Sequence, residues 1–213
     1  MPPNTEYAKL VKSKTDNLSD RGFQAKIKLP SSKTLPRVYD YINFYCGIDS
    51  YECGLSCKDN SAWKQGGVLK WRVFANGNGA TTYGSTLYAD GSTVKISLEL
   101  DTSNKVVYKV NDVVIKTFAT PLNNITNSAR LIFGALQYTG YTPPLKVWDV
   151  KHNQVYASEM KYKNSSNNWI AFTNGSKVTT EEWPPGVPTP DGRKYTVDKA
   201  SIGSSKLYAS LKF

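Results

Sequence analysis

The chain has 213 residues, a length that all-β folds often occupy as one domain, and its 39% hydrophobic residues supply enough apolar material for a core. A formal net charge of +10 admits polyanionic partners, but the 27 basic residues are scattered with no block of five, which argues against a nucleic-acid arm. No run of 18 apolar residues occurs, so no helical membrane span is expected.

The opening "MPPNTEYAKL" is polar, with no visible secretory leader, and reads as a mature start or a trimmed chain. From there the sequence breaks into short runs of β-formers: "RGFQAKIKL" (21–29), "RVYDYINFY" (37–45), "GVLKWRVFA" (67–75), "ARLIFGALQY" (129–138), "PLKVWDVK" (144–151) and "SKLYASLKF" (205–213). Turn-forming clusters such as "LPSSKTLP", "NGNG" and "NSSNN" separate them, and no segment repeats apolar residues at helical spacing. In 37–46, Val38, Ile42, Phe44 and Cys46 are expected in the core, leaving Tyr39, Tyr41, Asn43 and Tyr45 on the opposite face. After Gly47, read as a turn or bulge, Tyr51, Cys53, Leu55 and Cys57 share one face of the next segment. Trp71 alternates with Lys70 and Arg72 and reads as core, whereas Trp183 falls in a Pro-rich surface loop, "EEWPPGVPTPDGRK" (181–194).

The clearest stretch is "TVKISLELDTSNKVVYKVNDVVIKTF" (93–118). Val94, Ile96, Leu98 and Leu100 alternate with polar residues, and Val106, Tyr108 and Val110 repeat the pattern. A three-residue loop, Thr102-Ser103-Asn104 with Asn104 left-handed, sets Leu100 against Val106 and Leu98 against Tyr108. A two-residue turn at Asn111-Asp112 then pairs Val110 with Val113 and Tyr108 with Ile115. Many short strands with regular turns predict an all-β, antiparallel two-sheet sandwich over residues 1–213.

The succession "FQAKIKLP", "YINFYCGIDSYECGLS", "VLKWRVF", the 93–118 meander and "ARLIFGALQY" resembles the concanavalin A-like lectin/glucanase jelly roll over roughly residues 21–150. It is also similar to secreted bacterial single-domain members of that superfamily. The resemblance implies a jelly roll with one concave sheet, carbohydrate as the usual ligand on that sheet, an extracellular location, and a structural calcium ion as an option. No Asp-x-Asp run supports such an ion, and no other cofactor is expected.

Retaining glucanases of the superfamily carry Glu-x-Asp-x-x-Glu or a close variant, two carboxyl groups about 5 Å apart. "GIDSYECG" supplies Asp49 and Glu52 but has Gly47 at the first glutamate position, which leaves these two as weak catalytic candidates only. His152 is the only histidine and reads as a strand-end residue rather than a triad member. Cys46, Cys53 and Cys57 lack a fourth zinc ligand. Either one disulfide, with Cys46 reaching across a turn, or three thiols is expected.

The expected ligand site is the face bearing Tyr39, Tyr41, Asn43 and Tyr45, with Glu52, Lys70 and Arg72 nearby, since tyrosine rings stack on sugars while amides and charges read hydroxyls. The leading expectation is a non-catalytic, secreted carbohydrate-binding or cell-surface domain for a polysaccharide, an anionic one suiting the charge, and acting as a monomer. The alternatives are a glycan-cleaving enzyme, glycoside hydrolase or polysaccharide lyase, using Glu52 and Asp49, and a basic polyanion-binding protein.

Overall fold

The computed structural model describes residues 6–36, 38–77, 79–138, 148–183 and 192–213. The strands, in chain order, begin with β1 (Glu6–Lys14), β2 (Gly22–Lys28), β3 (Lys33–Thr34), β4 (Tyr41–Ile48), β5 (Tyr51–Lys58), β6 (Lys64–Gln65), β7 (Val68–Leu69), β8 (Trp71–Gly77) and β9 (Ala80–Tyr88). They continue with β10 (Thr93–Leu100), β11 (Lys105–Val110), β12 (Val113–Pro121), β13 (Arg130–Tyr138), β14 (Lys151–Lys163), β15 (Trp169–Ala171), β16 (Val178–Trp183), β17 (Tyr195–Asp198) and β18 (Leu207–Leu211). The helical structure among the described residues amounts to three single 3-10 turns.

One sheet has seven strands in the order β16-β1-β13-β4-β5-β8-β9. The other runs β12-β11-β10-β2-β14-β18-β17, with β3 and β15 added beside β14. All pairings are antiparallel, and one core cluster draws on both sheets, which makes the molecule an antiparallel jelly-roll β-sandwich.

The meander follows its apolar pattern. Leu100 faces Val106, Leu98 faces Tyr108, and Asn104 takes the left-handed conformation at φ 58°. Asn111 and Asp112 are both left-handed, at φ 49° and 66°, and close the turn between Val110 and Val113. The pairing then departs from strict alternation: Tyr108 faces Lys116 rather than Ile115, because a bulge makes Ile115 the surplus residue of the edge strand β12. Val113, Val114 and Ile115 are all exposed there.

Two expectations near β4 are corrected. The strand starts at Tyr41, after a turn at Val38–Tyr39, so Val38 is 56% exposed rather than core, and Tyr39 lies off the sheet. Pro36, just upstream, fixes its own φ and offers no amide for a ladder. Gly47 lies within β4 opposite Glu52, and the turn falls at Asp49–Ser50, where Asp49 takes φ 51°. Strands β1, β9, β15, β16 and β17 have no counterpart in the sequence reading, and the strand expected over 144–151 is corrected: its described residues 148–150 are not strand, and β14 begins only at Lys151 and runs on to Lys163. In β1 the pattern is hidden by Lys9, which is 1% exposed yet charged; its ammonium reaches Glu182 at 3.4 Å and the Trp148 ring at 5.2 Å. Residues 144–147 of one expected strand and 184–191 of the Pro-rich loop lie outside the described residues.

Between the sheets Phe44 is fully buried, stacked on Trp71 at 4.9 Å and met edge-on by Phe133 at 5.3 Å and His152 at 5.4 Å. The Trp71 indole N–H donates to Asp90 at 2.8 Å, so the ring is buried with its polar atom satisfied. His152, the second residue of β14, is fully buried; its Nδ1 meets the Asn153 carbonyl at 2.6 Å and its Nε2 the Tyr195 hydroxyl at 3.2 Å.

Burial lowers the His152 pKa from 6.5 to about 4. Above pH 6.5 the imidazole is neutral in both states. Below it the unfolded chain takes up a proton that the folded chain refuses, so stability falls with pH until about pH 4, by about 3 kcal/mol in all. Urea unfolding between pH 7 and 5 is expected to show this slope, and a His152→Gln variant, less stable at pH 7, is expected to lose it. The buried Asp20 carboxyl, raised by burial, acts with the opposite sign, so the difference between the two proteins is the quantity to read.

Candidate functional site: a groove on the seven-stranded sheet

Because Ile42, Phe44, Cys46 and Ile48 are drawn into the core, Tyr41, Asn43, Tyr45 and Gly47 must face outward from the seven-stranded sheet. Neighbouring strands repeat the parity, with Leu10 and Lys12 of β1, Glu52 of β5, Gly134 and Leu136 of β13, and Glu181 and Trp183 of β16 on the same side. Together they line a groove of about 400 Å³.

Glycines lie in and beneath the bed of the groove. Gly134 lies opposite Asn43, and a Cβ there would come within 3.0 Å of Leu10 Cδ2. Gly54 lies opposite Tyr45, where a Cβ would fall 2.1 Å from the Phe44 carbonyl oxygen. The carbonyl of Gly54 accepts from the Tyr108 hydroxyl of the other sheet at 2.9 Å.

Tyr45 is sunk into this bed. It is only 9% exposed, meets Phe74 edge-on at 5.9 Å, and forms a small cluster with Phe74, Ile132 and Leu10. Burial, with the Glu52 carboxylate beside it, pushes its phenol pKa far up. Tyr45 is therefore floor rather than a free stacking ring. Tyr41 is half-buried at the rim, and Trp183, at the end of β16 rather than in a loop, stands 58% exposed as a wall. On the floor the Asn43 Oδ1 is buried and has no hydrogen-bond partner among the described residues. A second depression, about 320 Å³, lies between residues 14–20 and 170–177, where Asp16 is paired with Lys177.

The carboxylates are held. Gly47 leaves a slot occupied by the Arg130 guanidinium, and a Cβ at this position would lie 2.7 Å from Arg130 Cζ. From that slot Arg130 Nη2 donates to the Asp49 carbonyl at 2.9 Å and to Glu52 Oε1 at 3.1 Å. Where the glucanase pattern has its first glutamate, this chain thus has a buried cation. Asp49 sits in the turn, its Oδ1 accepting from the Thr126 hydroxyl at 2.5 Å and the Thr126 amide at 3.1 Å, and these bonds hold its pKa below the usual carboxylate range. Glu181 is paired to Lys12 at 2.6 Å.

The other expected site residues lie apart. Tyr39 is exposed in its turn, and Lys70 is half-buried between β7 and β8. Arg72 shares the outer face but gives its guanidinium to the Gly84 carbonyl at 2.6 and 2.8 Å, over the Trp63 ring. Cys46 and Cys53 face each other across β4 and β5, yet all three cysteines are buried free thiols; burial pushes Cys53 and Cys57 up to about 12 and Cys46 higher still. No disulfide joins them. Among the described residues no three Asp, Glu, His or Cys side chains gather as a metal site. The β1 and β16 wall was not foreseen, and the one available signal was the uncommitted tryptophan at 183.

Replacing Gly47 with Ala is expected to push the Arg130 guanidinium from its slot and to break its bonds to the Asp49 carbonyl and Glu52. A loss of about 1–3 kcal/mol, read as a lower urea midpoint, is the expected outcome.

Scanned against protein-family models the chain matches none, and no curated protein sequence matches it. Among solved structures it resembles scytalido-glutamic peptidase bound to a transition-state analog inhibitor, with a TM-score of 0.60, 9% identity and 98% of each chain covered. SCP-B, a peptidase of the eqolisin family, follows at a TM-score of 0.52 and 9% identity, again over 98% of both chains. A glycoside hydrolase family 16 endo-glucanase from Bacteroides ovatus gives 0.41 and 15% identity over 75% of this chain and 78% of that one. At these identities the likeness is one of fold alone, an antiparallel β-sandwich that runs the full length of both chains.

Proposed function

We propose that the groove on the seven-stranded sheet binds a segment of a glycan chain without cleaving it. The observation that carries this reading is the pairing of an exposed indole wall, Trp183, with an unsatisfied amide oxygen, Asn43 Oδ1, on the groove floor. A flat aromatic surface takes the CH face of a pyranose, and a buried acceptor without a donor is costly until a hydroxyl supplies one. Glu52, Glu181 and Lys12 add further hydrogen-bonding groups along the same groove.

Cleavage is disfavoured by the partners of the carboxylates. A glycosidase acid must be held protonated near neutral pH, by burial or by a neighbouring negative charge. Here Glu52 lies against the Arg130 guanidinium and Asp49 is fixed in its charged form by Thr126. Since two full-length fold neighbours are named as peptidases, an extended peptide is the competing occupant.

A glycan array with a parallel peptide panel tests the reading. Glycan binding, no release of reducing sugar, and a roughly tenfold loss with Trp183→Ala at unchanged Tm are expected, a stacked ring being worth about 1 kcal/mol. Tyr45→Ala is instead expected to lower stability by about 3 kcal/mol, because that ring belongs to the packed floor. Binding of peptides in preference to every glycan, or binding indifferent to Trp183, would overturn the proposal.

A further inference from the structure

The outer face of the seven-stranded sheet is electrostatically uneven. At the β1 and β16 end, and at the centre, cations are neutralised: Lys12 pairs with Glu181 at 2.6 Å and Arg130 with Glu52 at 3.1 Å. Toward β9 the arrangement changes. Lys58, the residue opposite Tyr41 in the ladder, holds its Nζ 5.1 Å from the centroid of the Tyr41 ring and 5.6 Å from that of Tyr83. The adjacent acid, Asp59, is taken by Lys64 at 2.8 Å, and among the described residues no carboxylate pairs with Lys58.

The rings around this ammonium are themselves held in place. Tyr83 is 40% exposed and rests edge-on against the buried Trp63 at 5.1 Å, and Trp63 in turn lies under the Arg72 guanidinium at 5.4 Å. Among the described residues Arg72 is bonded to carbonyl oxygens, and no acid pairs with it or with Lys58. Two aromatic rings thus flank one ammonium that no carboxylate of the described residues neutralises. The rings' quadrupoles orient the charge but leave its strongest hydrogen-bonding capacity unused.

Resting on the groove reading above, we propose that Lys58, between Tyr41 and Tyr83, is a subsite for the carboxylate of a uronic acid residue in the bound glycan. The exposed Tyr83 ring takes the apolar face of the sugar, and the ammonium takes its carboxylate in a charge-assisted hydrogen bond. Tyr41 belongs to both the groove rim and this subsite, so one chain running across the strands meets the groove and then Lys58.

The test compares an oligogalacturonate with the same oligomer after carboxyl reduction, by calorimetric titration at low and high salt. The native protein is expected to prefer the uronate by about tenfold at low salt, and the preference is expected to shrink as salt rises. Lys58→Met keeps an apolar stem between the rings. It is expected to lose about tenfold on the uronate and no more than about twofold on the reduced oligomer, while Lys58→Arg retains the preference. Equal affinity for both oligomers in the native protein, or an undiminished preference in Lys58→Met, would overturn the subsite. So would a sulfated oligomer that outcompetes the uronate in a Lys58-dependent way. If Trp183→Ala weakens both oligomers while Lys58→Met changes neither, the groove stands and the subsite falls. If neither oligomer binds, and none on the array does, both fall together.

Discussion

The position of the Phe44 ring governs the architecture. It lies where the sheets face each other, against Trp71 and Phe133 of its own sheet and His152 of the other. Side chains on a strand alternate, so fixing Phe44 inward fixes Ile42 and Cys46 inward and turns Tyr41, Asn43 and Tyr45 outward. A slip of one residue would send Phe44 into solvent and three polar or phenolic groups into an apolar interior. The groove is the outward half of a constraint imposed from within. The Tyr108 hydroxyl, reaching through the core to the Gly54 carbonyl beneath Tyr45, ties the groove bed to the opposite sheet at one more point.

Electrostatics on that outward face follow from a missing side chain. Gly47 gives Arg130 a place to lie, and the guanidinium there binds one carbonyl of the Asp49 turn and one carboxylate oxygen of Glu52. A single cation therefore organises both acids that looked like catalytic candidates, one through its backbone and the other through its side chain. Glu52 is thereby fixed in place at the edge of the groove, 3.1 Å from the Arg130 guanidinium.

Much of the fold was legible because its strands are half-buried and period two survives in the sequence. The meander, β2, β4, β5, β8 and β13 follow this rule, and the turn residues Asn104, Asn111 and Asp112 adopt the left-handed backbone that their short polar side chains tolerate. Strand β1 was not legible, since a buried lysine satisfied by Glu182 and the Trp148 ring is a tertiary fact with no local trace. Strand β9 is exposed along nearly its whole length and has no apolar alternation to read. The site was half legible: parity placed Tyr41, Asn43, Tyr45 and Glu52 together, but Tyr39 stops short of the strand and Arg72 is spent on a carbonyl. The other wall comes from β1 and β16, brought together by pairings more than 160 residues apart in the chain, which no local pattern announces.

The bulge at Ile115 has a consequence for how molecules behave at high concentration. Val113, Val114 and Ile115 stand exposed on a strand that is outermost in its sheet among the described residues, an arrangement that offers itself to the edge of another chain. A flat edge of this kind propagates by adding strand upon strand. Here the surplus residue breaks the even spacing of the open amides, and Lys116, its ammonium over the Phe118 ring, follows immediately. Backbone geometry and a charge thus act together at this edge: the surplus residue puts the open backbone out of step with a straight partner strand, and Lys116 places an ammonium beside it.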